Sequence, residues 1–273
     1  MEEEALSRLG IVLPSGEGWA ARRRRYRVEG EGPLTHLRVR GSGGFGNQLA
    51  QLANAVALAA ATGVAEVWHD VPWMGEGGEA PALRHLGRGA RAGMGVAGRF
   101  AVRDNLGPIA RLSARRRRDL VVARLRPRFA LAPAGPPGPP VLSVRGGADL
   151  FEDPAPHPHY GQPPLAFYTE AVRRARFDEV LVVAQDRRNP VADALEVWLA
   201  ETPGLRGRVV SEGAEGDARH ILAAGHLVWG TSTFVEALAL LGGRARTGHY
   251  MRAMAFAGEL VHAVPRLRRF VPR

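Results

Sequence analysis

The chain has no cysteine and no lysine among its 273 residues. The absence of cysteine excludes a disulfide framework, a thiolate nucleophile and a cysteine-bound zinc ion, and it fits a reducing cytoplasm. The chain also lacks a run of about 18 apolar residues, so no transmembrane helix is expected. The acidic start at residues 1–4 has no apolar segment behind it, and we therefore expect no secretory signal.

The positive charge of the chain comes from arginine alone. The sequence holds 37 basic and 27 acidic residues, which gives a formal net charge of +10 and a pI near 11.2. Such a surplus often indicates a partner such as nucleic acid or an anionic membrane. The missing lysine, the three isoleucines and the many alanines, glycines and prolines indicate instead a high-G+C coding bias at surface positions. The basic surplus is thus partly genomic. It still predicts that the protein attracts anionic small molecules.

A proline-rich segment divides the chain. Residues 131–140, LAPAGPPGPP, contain five prolines and cannot form a helix or a central strand. This predicts a linker between two domains, residues 1–135 and residues 136–273. In both halves, short apolar runs alternate with helical patterns, which is typical of parallel α/β units. We therefore predict an α/β protein with two Rossmann-like domains that face a cleft, and ligands beyond the carboxyl ends of the strands.

The periodicity of apolar residues predicts most elements individually. The predicted strands are 34–40, 65–69, 141–144, 179–184, 209–210 and 227–229. The predicted helices are 47–62, 109–128, 165–176, 191–200, 217–224 and 234–241. Residues 72–98 are rich in glycine and show no clear period, so no element is predicted there.

The first informative segment is Gly41–Gln51, GSGGFGNQLAQ, between a predicted strand and a predicted helix. Its glycines permit positive φ, and the amides at the helix start favour a phosphate. Gly41, Gly43 and Gly46 spell the dinucleotide fingerprint, and Asp70 follows Gly46 by 24 residues, near the position of a ribose-binding acid. An NAD(P)-dependent oxidoreductase is therefore one alternative, and a tight turn without a ligand is another.

The second segment begins with the strand at 141–144, which leads Arg145 into a Gly-Gly turn with Asp149 just beyond. An arginine at the carboxyl end of a strand is well placed to bind a diphosphate, whereas an ion pair in a solvated loop is the simpler interpretation. Carboxylates and histidines of the following loop are candidate general bases. Its polar residues are Glu152, Asp153, His157, His159, Tyr160 and Gln162. His157 and His159 have no evident third ligand, so no metal site is expected.

The third segment, 227–241, reads LVWGTSTFVEALALL. Thr231, Ser232 and Thr233 lie between a strand and a helix, where hydroxyls beside exposed helix amides are typical of phosphate sites. Thr233 and Glu236 have the spacing of a capping box, which predicts that Thr233 is the N-cap. The chain has no P-loop, no G-x-S-x-G elbow and no Asp-x-Asp pair. The charge of a leaving diphosphate would therefore have to be neutralised by arginine and helix N-termini.

In their order and spacing these segments resemble the fucosyltransferase superfamily of the GT-B type, particularly the α-1,2-fucosyltransferase and the related O- and α-1,6-fucosyltransferase branches. The similar stretches are GGFGNQL at 43–49, SVRGGAD at 143–149 with its continuation to Tyr168, VVAQD at 182–186, and GTSTF at 230–234. The chain departs from the family at Ser143, where the family has histidine. It departs again at Ala148, an extra residue that moves Asp149 relative to Arg145.

The resemblance implies a metal-independent, inverting glycosyltransferase that transfers a sugar, expected to be fucose, from a GDP-sugar to a hydroxyl acceptor. The N-terminal domain would serve the acceptor and the C-terminal domain would bind the nucleotide sugar. The implied catalytic residues are Arg145, Asp149 and His157. The implied donor-site residues are Gly44, Phe45, Gly46, Asn47, Arg145, Gln185, Asp186, Thr231, Ser232, Thr233 and Phe234. The implied acceptor-side residues are His159, Tyr160 and Gln162.

The expected partners are thus a nucleotide-sugar donor such as GDP-fucose and a glycan or other hydroxyl acceptor, with no cofactor. A second alternative is an arginine-rich nucleic-acid-binding protein, based on the clusters at 22–25, 115–118 and 266–273. It would lose affinity steeply with salt, but aromatic residues do not interleave with these clusters and no nucleic-acid-binding motif is present. The expected location is the cytoplasm, with peripheral contact of the clusters to an anionic membrane as a further expectation.

Overall fold

A computed structural model of the chain describes residues 2–11, 26–86, 93–100, 115, 119–131, 136–153, 162–250 and 268–269. The chain divides into two compact units, Met1–Ala130 and Leu131–Arg273, called unit 1 and unit 2 below. Each unit is built on its own, mostly parallel β-sheet. The predicted α/β class with two Rossmann-like units is thereby confirmed.

Unit 1 contains a five-stranded sheet in the order β1-β5-β2-β3-β4. Strands β5, β2, β3 and β4 run parallel, and β1 pairs antiparallel with β5 at the edge. Its elements are α1 (Glu2–Arg8), β1 (Tyr26–Glu29), β2 (Leu34–Val39), α2 (Phe45–Thr62), β3 (Glu66–His69), β4 (Ala82–His85), β5 (Met94–Gly98), a π turn (Val121–Leu125) and a 3₁₀ turn (Arg126–Arg128).

Helix α2 forms where the sequence predicts it. Its alanines and leucines favour a helix and pack closely on the sheet, and the helix is buried along most of its length. Gly63 ends it in the left-handed conformation, with a φ of 75°. Other residues are strained in this conformation. Glycine is therefore a common residue at the end of a helix, as the sequence predicts for Gly63.

Unit 2 contains a six-stranded sheet in the order β11-β10-β9-β6-β7-β8. Its elements are β6 (Val141–Val144), α3 (Ala148–Phe151), α4 (Leu165–Ala175), β7 (Glu179–Ala184), α5 (Pro190–Glu201), β8 (Arg206–Val210), α6 (Gly213–Ala223), β9 (His226–Trp229), α7 (Thr233–Leu241), β10 (Thr247–Tyr250) and β11 (Arg268–Arg269). The first five of these strands run parallel, whereas β11 is antiparallel. Their spatial order is the 3-2-1-4-5 order of a Rossmann half, so the strand order reverses between β6 and β9.

The core of unit 2 lies between this sheet and the helices α4 and α5. The strands β6, β7 and β9 are mostly apolar, as expected for parallel strands that are covered on both faces. The core residues come from β6, β7, β9 and the two helices: Leu142, Val144, Phe167, Tyr168, Ala171, Val172, Val180, Val182, Ala184, Ala192, Leu195, Leu199 and Val228. This packing fixes the carboxyl ends of β6, β7 and β9, where the predicted site residues lie.

One predicted element is wrong in the part that the structure describes. The sequence predicts an α-helix over 109–128, but residues 121–125 form a π turn and residues 126–128 a 3₁₀ turn. Pro127 lacks the amide hydrogen that an α-helix needs at this point, so the last turn changes its hydrogen-bonding pattern. Most of the residues from 109 to 118 lie outside the described ranges. No helix in the described part of the chain is both long enough and apolar enough to cross a bilayer.

Candidate functional site

The switch in strand order of unit 2 brings two predicted segments together. Strand β6 pairs in parallel with β9, with Ser143 opposite Trp229, so Arg145 and Gly230 follow neighbouring strand ends. On its other side β6 pairs with β7, with Val144 opposite Ala184. The predicted donor residues Gln185, Asp186 and 231–234 therefore lie with Arg145 at one sheet edge, where open α/β sheets bind their ligands.

Arg145 is held at its backbone and paired at its side chain. Its carbonyl accepts a hydrogen bond from Asn189 Nδ2 at 2.9 Å, which fixes the residue just beyond β6. Its Nη2 donates to Asp149 Oδ2 at 2.7 Å. The arginine side chain is 22% exposed and that of Asp149 is 53% exposed. The guanidinium is thus partly exposed at the switch point. It forms the ion pair with Asp149 that the simpler interpretation of the sequence predicts.

The glycines after Arg145 let two carboxylates approach the backbone. A Cβ on Gly146 would lie 2.1 Å from Asp186 Oδ1, and one on Gly147 would lie 2.6 Å from Asp149 Oδ1. Gly147 also has a φ of 111°, which other residues rarely adopt. Any side chain at these positions would displace a carboxylate or the turn itself.

Asp186 is oriented by Arg188. Its Oδ1 accepts from the backbone amide of Arg188 at 2.9 Å, and its Oδ2 accepts from Arg188 Nη1 at 2.8 Å. Arg188 also donates through Nε to Glu152. These charge-assisted bonds raise the pKa of Arg188 above its ordinary value, with Glu152 as the main cause. Asp186 therefore has a defined orientation next to Gly146.

The start of α7 differs from the prediction in its cap. Ser232, and not Thr233, is the N-cap: its backbone is extended, and its Oγ accepts from the amide of Val235 at 3.4 Å. Thr233 is already helical, so its spacing to Glu236 does not form the predicted capping box. The first amides of a helix and its dipole favour an anion. This helix start lies directly after β9, beside Arg145 in the sheet order.

Residues 162 and 163, just before α4, lie at the carboxyl end of β9. A Cβ on Gly230 would lie 2.4 Å from Pro163 Cδ and 3.8 Å from Gln162 Oε1. Gln162, which the sequence assigns to the acceptor side, is therefore placed next to Gly230 at the same sheet edge. His157, His159 and Tyr160 lie outside the described residues.

Two residues that support the site were not predicted. Asn189 caps α5 through Oδ1, which accepts from Val191 at 3.0 Å, while its Nδ2 holds the Arg145 carbonyl. The Asn-Pro sequence at a helix start was a usable signal for this cap. Tyr168 is buried and donates to the Ser143 carbonyl at 3.0 Å. Burial raises the pKa of its hydroxyl, so it remains a hydrogen-bond donor.

The glycine turn of unit 1 is filled by side chains of its own helix. Gln48 Nε2 donates to the Gly43 carbonyl at 2.8 Å, and Gln51 exchanges hydrogen bonds with Ser42 at 3.1–3.2 Å. Gly43 has a φ of 77°, and a Cβ on it would lie 2.8 Å from Asn47 Nδ2. The space that the dinucleotide fingerprint leaves open beside its second glycine is therefore occupied by Asn47.

The other predicted residues of this turn lie at the start of α2. Gly44 is the N-cap and has no side-chain cap bond, and Gly46 lies in the first turn. Phe45 is buried and packs against Trp73, with ring centroids 4.9 Å apart. Asp70 is exposed directly after β3, the strand that a ribose-binding acid would follow.

A buried histidine lies at the same strand ends of unit 1. His69 is fully buried at the end of β3, and its ring centroid is 4.9 Å from that of His85. The Gly75 carbonyl favours its protonated form but lies outside hydrogen-bonding geometry, so among the described residues both ring nitrogens lack a hydrogen-bond partner. Burial, helped by His85, lowers the pKa of His69 to about 4. The ring is neutral at neutral pH.

The likeness of this chain to known proteins lies in its structure. No family model matches the chain, and no curated protein matches it significantly. A solved structure of a mutant of Arabidopsis thaliana FUT1 in complex with GDP is similar, with a TM-score of 0.44 and 13% identity, and the match covers 91% of this chain and 74% of that chain. A likeness of this degree assigns no ligand or activity, so the chemistry has to be inferred from the residues of this chain.

Proposed function

We propose that the chain is a glycosyltransferase that transfers fucose from GDP-fucose to a hydroxyl acceptor, with inversion and without a metal ion. The observation that carries the proposal is the position of Arg145 and the Ser232-capped start of α7. These two features follow adjacent strands of the unit 2 sheet. A guanidinium and a helix N-terminus at such a switch point suit a diphosphate.

In this proposal unit 2 binds the nucleotide sugar. Arg145 contacts the β-phosphate, and Thr231, Ser232 and the helix amides of Thr233 and Phe234 bind the remaining phosphate oxygens. Gln185 and Asp186 follow the next strand and serve the nucleoside end. The orientation of Asp186 by Arg188 supports such a role, because a fixed carboxylate can accept hydrogen bonds from a base or a ribose.

The proposed reaction is a direct displacement. The acceptor oxygen forms a bond to C1 of the sugar while the bond from C1 to the diphosphate oxygen breaks. The acceptor proton passes to a base, and the negative charge passes to GDP. Arg145 and the α7 amides stabilise this developing charge through a fixed electrostatic environment. Of the two candidate bases, Asp149 is already engaged with Arg145, which favours His157.

The roles assigned to the remaining residues are part of the same proposal. Gly44, Phe45, Gly46 and Asn47 in unit 1 serve the donor from the glycine turn. His159, Tyr160 and Gln162 serve the acceptor. The position of Gln162 beside Gly230 supports a role near the donor phosphates as well.

Replacement of Arg145 tests the proposal. Arg145→Ala should reduce the release of GDP from GDP-fucose by a factor of about 10²–10³, the scale of losing one contact to the developing charge. Water serves as the acceptor in this assay, and GDP is measured. Arg219→Ala is the matched control, because it removes the same charge from an exposed ion pair of unit 2. Turnover near the wild-type value in Arg145→Ala would remove Arg145 from the mechanism.

One observation keeps the oxidoreductase alternative testable. Asp70 follows β3, the next strand in the chain after β2 and the glycine turn, as a ribose-binding acid would in a dinucleotide site. That function predicts NADH binding that weakens in Asp70→Asn. A fluorescence titration without any nicotinamide signal would dismiss it.

A further inference from the structure

We propose that Asp149 is an internal competitor of the donor phosphates: its carboxylate occupies the guanidinium of Arg145, and a diphosphate must displace it to bind. This inference rests on the proposed function, because it requires a phosphate ligand at Arg145. It assigns Asp149 a role in setting affinity and specificity in place of that of a base.

The geometry of the turn brings Asp149 back onto Arg145. The two residues are four apart, and the chain between them passes through Gly146 and Gly147 into the short helix α3. Asp149 Oδ2 accepts from Arg145 Nη2 at 2.7 Å, while Oδ1 lies over Gly147. The φ of 111° at Gly147 permits this return. Ala148 is the third residue between Arg145 and Asp149, so Asp149 stands at the i+4 position from Arg145.

Two neighbouring carboxylates are directed to another arginine. Asp186 and Glu152 both bind Arg188. Asp149 forms its ion pair directly with Arg145. Since Asn189 fixes the backbone of Arg145, the guanidinium exchanges one anion for another without moving the strand end.

The contact is of a kind that a diphosphate can replace. The Asp149 side chain is 53% exposed, and exposed ion pairs contribute little to stability. A diphosphate offers the guanidinium several oxygens and a higher charge, and it binds the α7 amides at the same time. Asp149 would therefore yield to a diphosphate and compete more effectively with a ligand that carries less charge.

The test is a calorimetric titration of Asp149→Asn with GDP, inorganic pyrophosphate and guanosine. The variant should bind GDP and pyrophosphate about 3- to 10-fold more tightly than the wild type, since it loses an ion pair and a repulsion of modest size. Guanosine affinity should not change. Glu170→Gln is the matched control, because it removes one charge from an exposed i,i+4 ion pair with Arg174 in the same unit, and it should leave GDP affinity unchanged.

A double-mutant cycle with Arg145→Met separates competition from general repulsion. If Asp149 acts through Arg145, the gain from Asp149→Asn should largely disappear in the Arg145→Met background. Asp149→Ala serves as a second variant if the asparagine alters the fold, which circular dichroism detects.

The outcomes distinguish this inference from the proposed function. Wild-type protein that binds GDP, with equal or weaker binding by Asp149→Asn and Asp149→Ala, would overturn the competitor role and leave the transferase proposal in place. A gain that persists in full without Arg145 would also overturn it. Absence of GDP binding in the wild type and in all variants would reject the transferase proposal and the inference with it.

Discussion

Acid should destabilise unit 1 through His69. The ring is fully buried, and burial lowers its pKa to about 4 from an ordinary value of 6.5. In the unfolded chain the ring takes up a proton near pH 6.5, whereas in the folded unit it does so only near pH 4. The unfolded state therefore binds more protons in this range, and the stability of unit 1 falls as the pH drops from 6.5 to 4.

The size of the loss follows from the difference in pKa. At about 1.4 kcal/mol for each pKa unit, the full effect is about 3 kcal/mol. Between pH 7 and pH 4.5 the expected loss is about 2 kcal/mol, because the folded group begins to titrate at the lower end. His69→Phe keeps a ring of similar shape and removes the titrating group. The free energy of unfolding of this variant should fall about 2 kcal/mol less than that of the wild type.

This difference is measured by urea unfolding at pH 7 and at pH 4.5, with hydrogen exchange of peptides from each unit as the readout. Each unit has its own sheet, so peptides of β2 and β3 report on unit 1. Peptides of β7 report on unit 2, where the same substitution should have no effect. An identical pH dependence of unit 1 in the wild type and in His69→Phe would refute the reasoning.

Two further substitutions test the support of the site. Asn189→Ala removes the N-cap of α5 and the bond to the Arg145 carbonyl. It should lower the free energy of unfolding in urea by about 1–2 kcal/mol and weaken GDP binding. Asn189→Asp keeps the capping oxygen, so it should recover the stability but not the affinity for GDP. Unchanged affinity in both would separate Asn189 from the site. Gly146→Ala places a Cβ 2.1 Å from Asp186 Oδ1, so it should weaken GDP binding more than Gly78→Ala, where a Cβ meets no atom within 4 Å. Equal binding by both variants would contradict a shaped turn.

The elements with a clear apolar period could be predicted from the sequence. The strands 141–144 and 179–184 agree with the structure at both ends, because short, mostly apolar runs are typical of buried parallel strands. Strands β1, β4, β5, β10 and β11 were not predicted. None of them has more than five residues, and β5, MGVAG, contains two glycines. Their pairing depends on neighbours that are distant in sequence, which local propensity does not encode.

The site could be predicted only at the level of residue types. Arg145 and the hydroxyls at 231–233 were identified because they follow strands, and the sheet order then places them together. The cap at Ser232 was missed by one residue, since Thr and Ser are both good caps and the backbone conformation decides between them. Asn189 was missed because its bond to Arg145 spans 44 residues, and the bond from Tyr168 to Ser143 is likewise a product of tertiary packing.

The proposed function requires a diphosphate site at the carboxyl ends of β6 and β9. Calorimetric titration with GDP, first without and then with EDTA, tests it most directly, with NADH and ADP as controls. We expect GDP to bind with an affinity that EDTA leaves unchanged, ADP to bind more weakly because it shares only the diphosphate, and NADH not to bind. Arg145→Ala should bind GDP much more weakly than the wild type. Absence of GDP binding, or binding of NADH in its place, would contradict it.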